Sequence, residues 1–232
     1  MCGRFTVACT ADEIRAAFDV DVPDDFVPRY NVAPQQPVPV IGRSETGTRS
    51  FSLVRWGLVP WWASAPDVGA RAINARAESL AVKPMFRDAF RERRCWVIAD
   101  GFYEWWRDGR TRQPWRFAMR DRRPFAFAGL WERWQGPDGE PLFTCAIVTT
   151  AANPAVSPVH DRMPVILGRG ERDRWLDGDA QPDALAALLR PWPGADLEGY
   201  AVARLVNSVA NDGPACIEPL DDDQASIFPE RS

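Results

Sequence analysis

The sequence predicts an α+β fold. A curved, mainly antiparallel, barrel-like sheet forms the core, helices flank it, and residues 1–232 make a single domain. Three observations predict this. The chain has 232 residues, 46% of them hydrophobic, which is enough for one full core. Between Cys95 and Thr150, runs rich in aromatic and β-branched residues alternate with Asp-Gly and Gly-Pro turns. Segments with helical character lie outside that run, on either side of it. No internal repeat or linker divides the chain.

The elements follow in order. Thr10-Ala11-Asp12-Glu13 reads as a capping box, and Ile14, Ala17 and Phe18 follow at helical spacing, so a helix is expected over about residues 11–18. Residues 19–37 are acidic and proline-rich and read as a loop. Residues 37–41 and 51–58 read as strands around a GRSETGT turn. Residues 60–72 are loop-like and begin with Trp61 and Trp62. Residues 77–94 are arginine-rich and expected to be mainly helical. Strands are expected at 95–99, 114–120, 124–134 and 142–150. Helices are expected at 171–176 and 182–189, a late strand at 200–208, and a short acidic tail after residue 220.

Composition narrows the function. The net charge of −4 argues against a generic basic nucleic-acid binder. The charge is uneven, however. From Arg71 to Arg133, fourteen arginines and one lysine stand against eight acids, a local +7 that leaves −11 for the rest. Such asymmetry allows one positive face on an acidic protein. Lys83 is the only lysine among 28 basic residues, and arginine is the better phosphate fork. Most of the eleven tryptophans belong to core or lining, and exposed ones can stack on bases. Five cysteines without a CxxC pair, and His160 as the sole histidine, argue against a zinc site, so no metal and no cofactor are expected. Cys9, Cys95 and Cys145 lie near or within apolar segments and read as small core residues without disulfides. No apolar run approaches the roughly 20 residues that span a bilayer, and no leader pattern precedes the first strand. A cytoplasmic location is expected.

Four short stretches carry chemistry. Cys2 follows Met1 directly, and a small second residue permits removal of Met1. An N-terminal cysteine then holds an amine of pKa about 7.7–8.0 beside a thiol near 8.5. An aldehyde would form an imine with the amine, and the adjacent thiol would close a five-membered thiazolidine. In "ADGFYEWW", an extended chain puts Phe102, Glu104 and Trp106 on one face, and a carboxyl among aromatics is partly desolvated and suited to moving protons. His160, in a loop beside Arg162, suits general-acid work near neutrality. In "AINARAES", Asn74 can orient an amine and Arg76 can grip a phosphate. Each has an ordinary reading too: a frayed tail, a paired strand carboxylate, a structural histidine, a helix cap.

Together these blocks resemble a known family. "MCGRF", "RYNVAP", "WGLVPWW", "INARAES", "MFRDAFRERRC", "ADGFYEW", "TTAAN", "HDRMPVIL" and "VNSVANDGPACIEPL" occur in the order seen in SRAP proteins, the SOS-response-associated peptidases or abasic-site processing proteins. The resemblance covers about residues 2–220. It implies that Cys2, freed of Met1, forms a thiazolidine with the ring-opened aldehyde of an abasic site in single-stranded DNA. It implies that Asn74 orients the N-terminal residue, Glu104 transfers protons and His160 stabilises or protonates the sugar. It further implies DNA contacts at Gly3, Arg4, Pro34, Trp61 or Trp62, Arg76, Thr149 and Arg162, with junctions between single and double strands as a further substrate form. Autoproteolytic loss of Met1, abasic-site lyase activity and association with the nucleoid belong to the same expectation. Two departures stand out: Pro84 precedes Met85-Phe86 where relatives carry a basic residue, with Lys83 one step back, and Ser79 replaces a common threonine.

Two other classes fit part of the pattern. An N-terminal-nucleophile cysteine amidase or peptidase would attack carbonyls with the Cys2 thiolate and need no aldehyde. A non-covalent DNA-binding module would show salt-sensitive binding indifferent to Cys2.

Overall fold

A computed structural model describes residues 2–44, 47–137 and 139–221. Met1, the tip of the GRSETGT turn and the acidic tail from 222 onward lie outside the described residues. The strands are β1 (Phe5–Val7), β2 (Arg29–Val32), β3 (Pro37–Arg43), β4 (Arg49–Trp56), β5 (Asn74–Arg76), β6 (Arg94–Ala99), β7 (Gly101–Asp108), β8 (Thr111–Met119), β9 (Phe125–Gln135), β10 (Pro141–Ala151), β11 (Arg162–Pro164), β12 (Ile166–Leu167) and β13 (Leu197–Ala201). The helices are α1 (Ala11–Phe18), α2 (Arg87–Glu92), α3 (Arg172–Leu176) and α4 (Pro182–Ala186).

Two sheets organise these strands. In one, β10, β4, β3, β6 and β9 pair in sequence, and β9 pairs back onto β10, closing a five-strand barrel. Short β5 and β11 extend from the far end of β10, and β12 from β9. The second sheet runs β13-β8-β7-β1-β2. The chain passes from barrel to second sheet between β6 and β7, at Asp100-Gly101. There Thr6 donates to Asp100 at 2.6 Å, and the Arg116 guanidinium packs so closely that a Cβ on Gly101 would lie 2.7 Å from it. The absence of a side chain at Gly101 therefore admits the arginine.

The barrel is filled as the period-two pattern of its strands requires. Trp56 is fully buried, and so are Trp96, packed on Phe18 of α1 and donating to the Arg172 carbonyl, and Trp175 of α3, donating to the Cys95 carbonyl of β6. Phe5 inserts edge-on between Trp56 at 5.1 Å and Phe127 at 5.9 Å, anchoring the start of the chain in the core. Cys9, Cys95 and Cys145 are buried free thiols, as their apolar neighbours suggested.

The expected α+β class with a barrel-like antiparallel core is what forms, and α1 carries its capping box: Thr10 accepts from the Glu13 backbone and donates its own N–H to the Glu13 carboxylate at 2.7 Å. Several boundaries differ. The supposed loop at 19–37 contains β2. The helical expectation at 77–94 shrinks to α2, because Pro84 cannot donate a backbone hydrogen bond and turns occupy 77–85. Asn74 opens a strand rather than capping a helix. The late strand is β13, ending at Ala201 and followed by a short 3-10 turn at Arg204–Asn207. Among the described residues no helix is long and apolar enough to cross a membrane.

Candidate functional site

The site forms where the two sheets meet. Phe5 of β1 pairs with Phe102 of β7, and Tyr103 donates its N–H to the Arg4 carbonyl at 2.9 Å, so residues 2–4 run alongside the middle of β7. Alternation along β7 then buries Phe102 and Glu104, while Tyr103 packs with Val202 and Val206 in a separate small cluster. From the barrel side, β5 lies parallel to β10, and Asn74 donates its amide to the Cys2 carbonyl at 2.8 Å. The loop before β11 brings in His160, whose Nε2 lies 3.9 Å from Glu104 Oε2. Cys2, Asn74, Glu104 and His160 therefore converge from distant stretches of chain.

Their electrostatics follow from burial. Cys2 is fully buried, and its Sγ–H points to the Arg4 carbonyl at 3.6 Å. Burial pushes this thiol far up, and the neighbouring Glu104 charge adds to the shift. Burial likewise raises the Glu104 carboxyl, with His160 opposing the rise. His160 Nδ1 accepts the Arg162 backbone N–H at 2.9 Å, which leaves Nε2 as the nitrogen facing Glu104. Asp161 lies 2.9 Å from Nδ1 and stands in solvent. The Asn74 carbonyl oxygen is buried without a hydrogen-bond partner among the described residues, an acceptor beside the N-terminal segment.

The other expected positions divide. Arg162 reaches Glu78 with both terminal nitrogens, one at 3.0 Å, and donates to the Thr149 carbonyl at 2.7 Å. This pairing holds the Glu78 carboxyl below its usual range. Thr149 is fully buried, so it orients Arg162 rather than presenting a surface. Arg4 is turned inward: one terminal nitrogen donates to Asn31 Oδ1 at 2.6 Å and to the Val206 carbonyl at 2.7 Å, and its guanidinium lies over Trp105. Arg76 is exposed, and Gly3 and Pro34 are half-buried. Trp61 and Trp62 are 60% and 48% exposed, unusual for tryptophan, and among the described residues no hydrogen bond or ring contact ties either to the Cys2 cluster.

Some residues of the site escaped the sequence reading. Asn31 is fully buried, and its amide nitrogen, with two protons to share, lies 3.2, 2.9 and 2.7 Å from three carbonyls of the 206–211 segment, while its Oδ1 accepts from Arg4. Asp212 accepts the backbone N–H groups of Tyr30 and Asn31 and pairs with Arg29. Trp105 donates to Asn207 at 2.7 Å. These contacts clamp the C-terminal segment against the N-terminus. Their signal lay in "RYNVAP" and "VNSVANDG", whose polar residues were visible but had no assigned partners.

A model of the SOS response associated peptidase (SRAP) family matches residues 1–209. The chain belongs to the SRAP family. Abasic site processing protein YoqW of Bacillus subtilis (strain 168) is 44% identical over 223 residues, covering 94% of this SRAP chain and 99% of that one. Abasic site processing protein HMCES of Gallus gallus is 32% identical over 228 residues, covering 84% of this chain and 67% of that one. Among solved structures, a protein from Bacteroides thetaiotaomicron superposes with a TM-score of 0.84 at 25% identity, over 94% of this chain and all of that one. The SRAP match includes Cys2, Asn74, Glu104 and His160, and ends just short of Asp212.

Proposed function

We propose that this protein processes abasic sites in single-stranded DNA by capturing the ring-opened sugar covalently at Cys2, once Met1 has been removed. The convergence of Cys2, Asn74, Glu104 and His160 carries this reading, in a family whose curated relatives are named abasic site processing proteins.

The steps balance simply. The sugar opens as Glu104 takes the C1 hydroxyl proton and His160 Nε2 delivers a proton to the ring oxygen, so that the bond from C1 to the ring oxygen breaks and the aldehyde forms. The Cys2 amine adds to the exposed aldehyde carbon, and the carbinolamine loses one water to give an imine. The Cys2 sulfur then adds to the imine carbon while the thiol proton passes to nitrogen, closing the thiazolidine. Glu104, raised toward neutrality by burial, takes and returns protons in the addition and dehydration. Asn74 holds the Cys2 backbone in place. In our reading, Arg76 and Arg162 take phosphates, with Gly3 and Pro34 at close approach, and Trp61 and Trp62 stack on flanking bases, including those at single-strand–duplex junctions. Arg4 and Thr149 act indirectly, by fixing the 204–212 segment and Arg162. Met1 leaves by autoproteolysis or by an aminopeptidase, and strand cleavage from the imine supplies a lyase activity.

The amidase alternative would turn the Cys2 thiol on a carbonyl and need no aldehyde. The test is aldehyde dependence. Protein lacking Met1 is expected to give a heat-stable adduct on a denaturing gel with abasic single-stranded DNA, and none with a tetrahydrofuran analogue that cannot open to an aldehyde. Turnover of peptide substrates with no adduct would overturn the proposal in favour of the amidase.

A further inference from the structure

Away from the Cys2 cluster, a cavity of about 390 Å3 opens between the end of α1, the ends of β8 and β13's neighbour loop, the start of β9 and the segment joining β12 to α3. Arg123, Arg169 and Arg172 line it, together with apolar residues that include Met119, Phe125 and Trp192, and no acidic side chain is among the lining residues.

The three arginines are in different states. Arg123 is neutralised by Asp121 at 2.7 Å and Asp196 at 2.5 Å. Arg169 is exposed and has no hydrogen-bond or ion-pair partner among the described residues. Arg172 donates to the Ala17 carbonyl at 3.0 Å and lies over the Phe18 ring, but among the described residues it has no ion-pair partner, and its Nε is buried without a hydrogen bond. Burial, with the Arg169, Arg123 and Arg49 charges around it, brings the Arg172 guanidinium down to about 10. An anion at this point would relieve that crowding and satisfy the free donors. A smaller cavity of about 140 Å3 shares Ala17, Arg169 and Arg172, and Arg49 borders it, held by Asp173 at 2.9 Å.

The rest of the lining is apolar and fixed. Met119 and Phe125 are buried, and Trp192 is held by a 2.9 Å hydrogen bond from its Nε1 to Asp196. The volume lies within the range of about 300–1,000 Å3 typical of small-ligand pockets.

We propose that this cavity is a second binding site, for a phosphate-bearing nucleotide, with Arg169 and Arg172 on the phosphate and the apolar lining against the base. The nucleotide is either free or one unit of a DNA strand, and the arms of one experiment separate these sources. Full-chain protein is titrated by calorimetry with dAMP, with inorganic phosphate, and with an oligothymidylate strand that has no abasic site. Arg169→Ala is expected to weaken dAMP, or the strand, by about tenfold, the cost of one charge-assisted contact, while Arg169→Lys keeps most of the affinity. Loss in the dAMP arm identifies a free nucleotide, and loss in the strand arm alone identifies DNA. Adduct formation at Cys2 is expected to be unchanged in Arg169→Ala, so failure here is separable from failure of the main reading. Affinities indifferent to Arg169 in both arms would overturn the site. Inorganic phosphate binding as tightly as dAMP would overturn the role of the apolar lining.

Discussion

Cys2→Ala is expected to abolish the heat-stable adduct with abasic DNA. Alanine keeps the amine but has no sulfur to close the ring, so any imine remains open to hydrolysis. The ring closure draws its advantage from a thiol fixed on the carbon next to the amine, an intramolecular arrangement that no thiol elsewhere in the chain reproduces. Cys2→Ser is expected to give a transient imine and strand cleavage without the stable product. Gel analysis after heating, with and without borohydride trapping, reads both outcomes. An adduct of undiminished yield and heat stability in Cys2→Ala would refute capture through this residue. Phe5 anchors the segment in the core, so the substitution leaves the position of the N-terminus intact.

Glu104→Gln is expected to slow adduct formation by about 10²–10⁴-fold, the usual worth of a positioned proton-transfer group. The same change is expected to make the protein more stable. Burial raises the Glu104 carboxyl in the folded state. Between the unfolded value of about 4.3 and the raised folded value, the folded protein therefore holds a proton that the unfolded chain has released. Stability falls as pH rises through that window, and at higher pH the buried, ionised carboxylate remains a constant penalty. Glutamine is neutral at every pH. The melting temperature of Glu104→Gln should thus exceed that of the unchanged protein at pH 7, and the gap should close as pH falls toward 4. A variant that is both fully active and no more stable would remove Glu104 from the proton path.

Much of this was legible in the sequence. Thr10 and Glu13 announced α1 through a local contact, and β6, β9 and β10 were marked by continuous apolar runs bounded by turn residues. The site was less legible in the residues than in their joint resemblance to a family, because Cys2, Asn74, Glu104 and His160 share no local spacing. The three-residue β5 has no periodicity to detect, and it exists only because β10 offers a free edge beyond β4. β2 was hidden by the prolines around it, although Asn31 within it is the hub of the C-terminal clamp. The inward turn of Arg4 depends on Val206, 202 residues away, and no reading of "MCGRF" alone could separate that contact from a phosphate contact. Closure of the barrel by β9 on β10 is likewise a property of strand register rather than of composition.

The central claim is that the amine and the thiol of Cys2 are both consumed by one abasic site. Intact mass, combined with alkylation of the denatured adduct, tests it most directly. One oligonucleotide per chain is expected, with a mass equal to protein lacking Met1 plus oligonucleotide less one water, and with four of the five cysteines alkylated. An adduct in which all five cysteines are alkylated, or one formed on chains that still carry Met1, would contradict it.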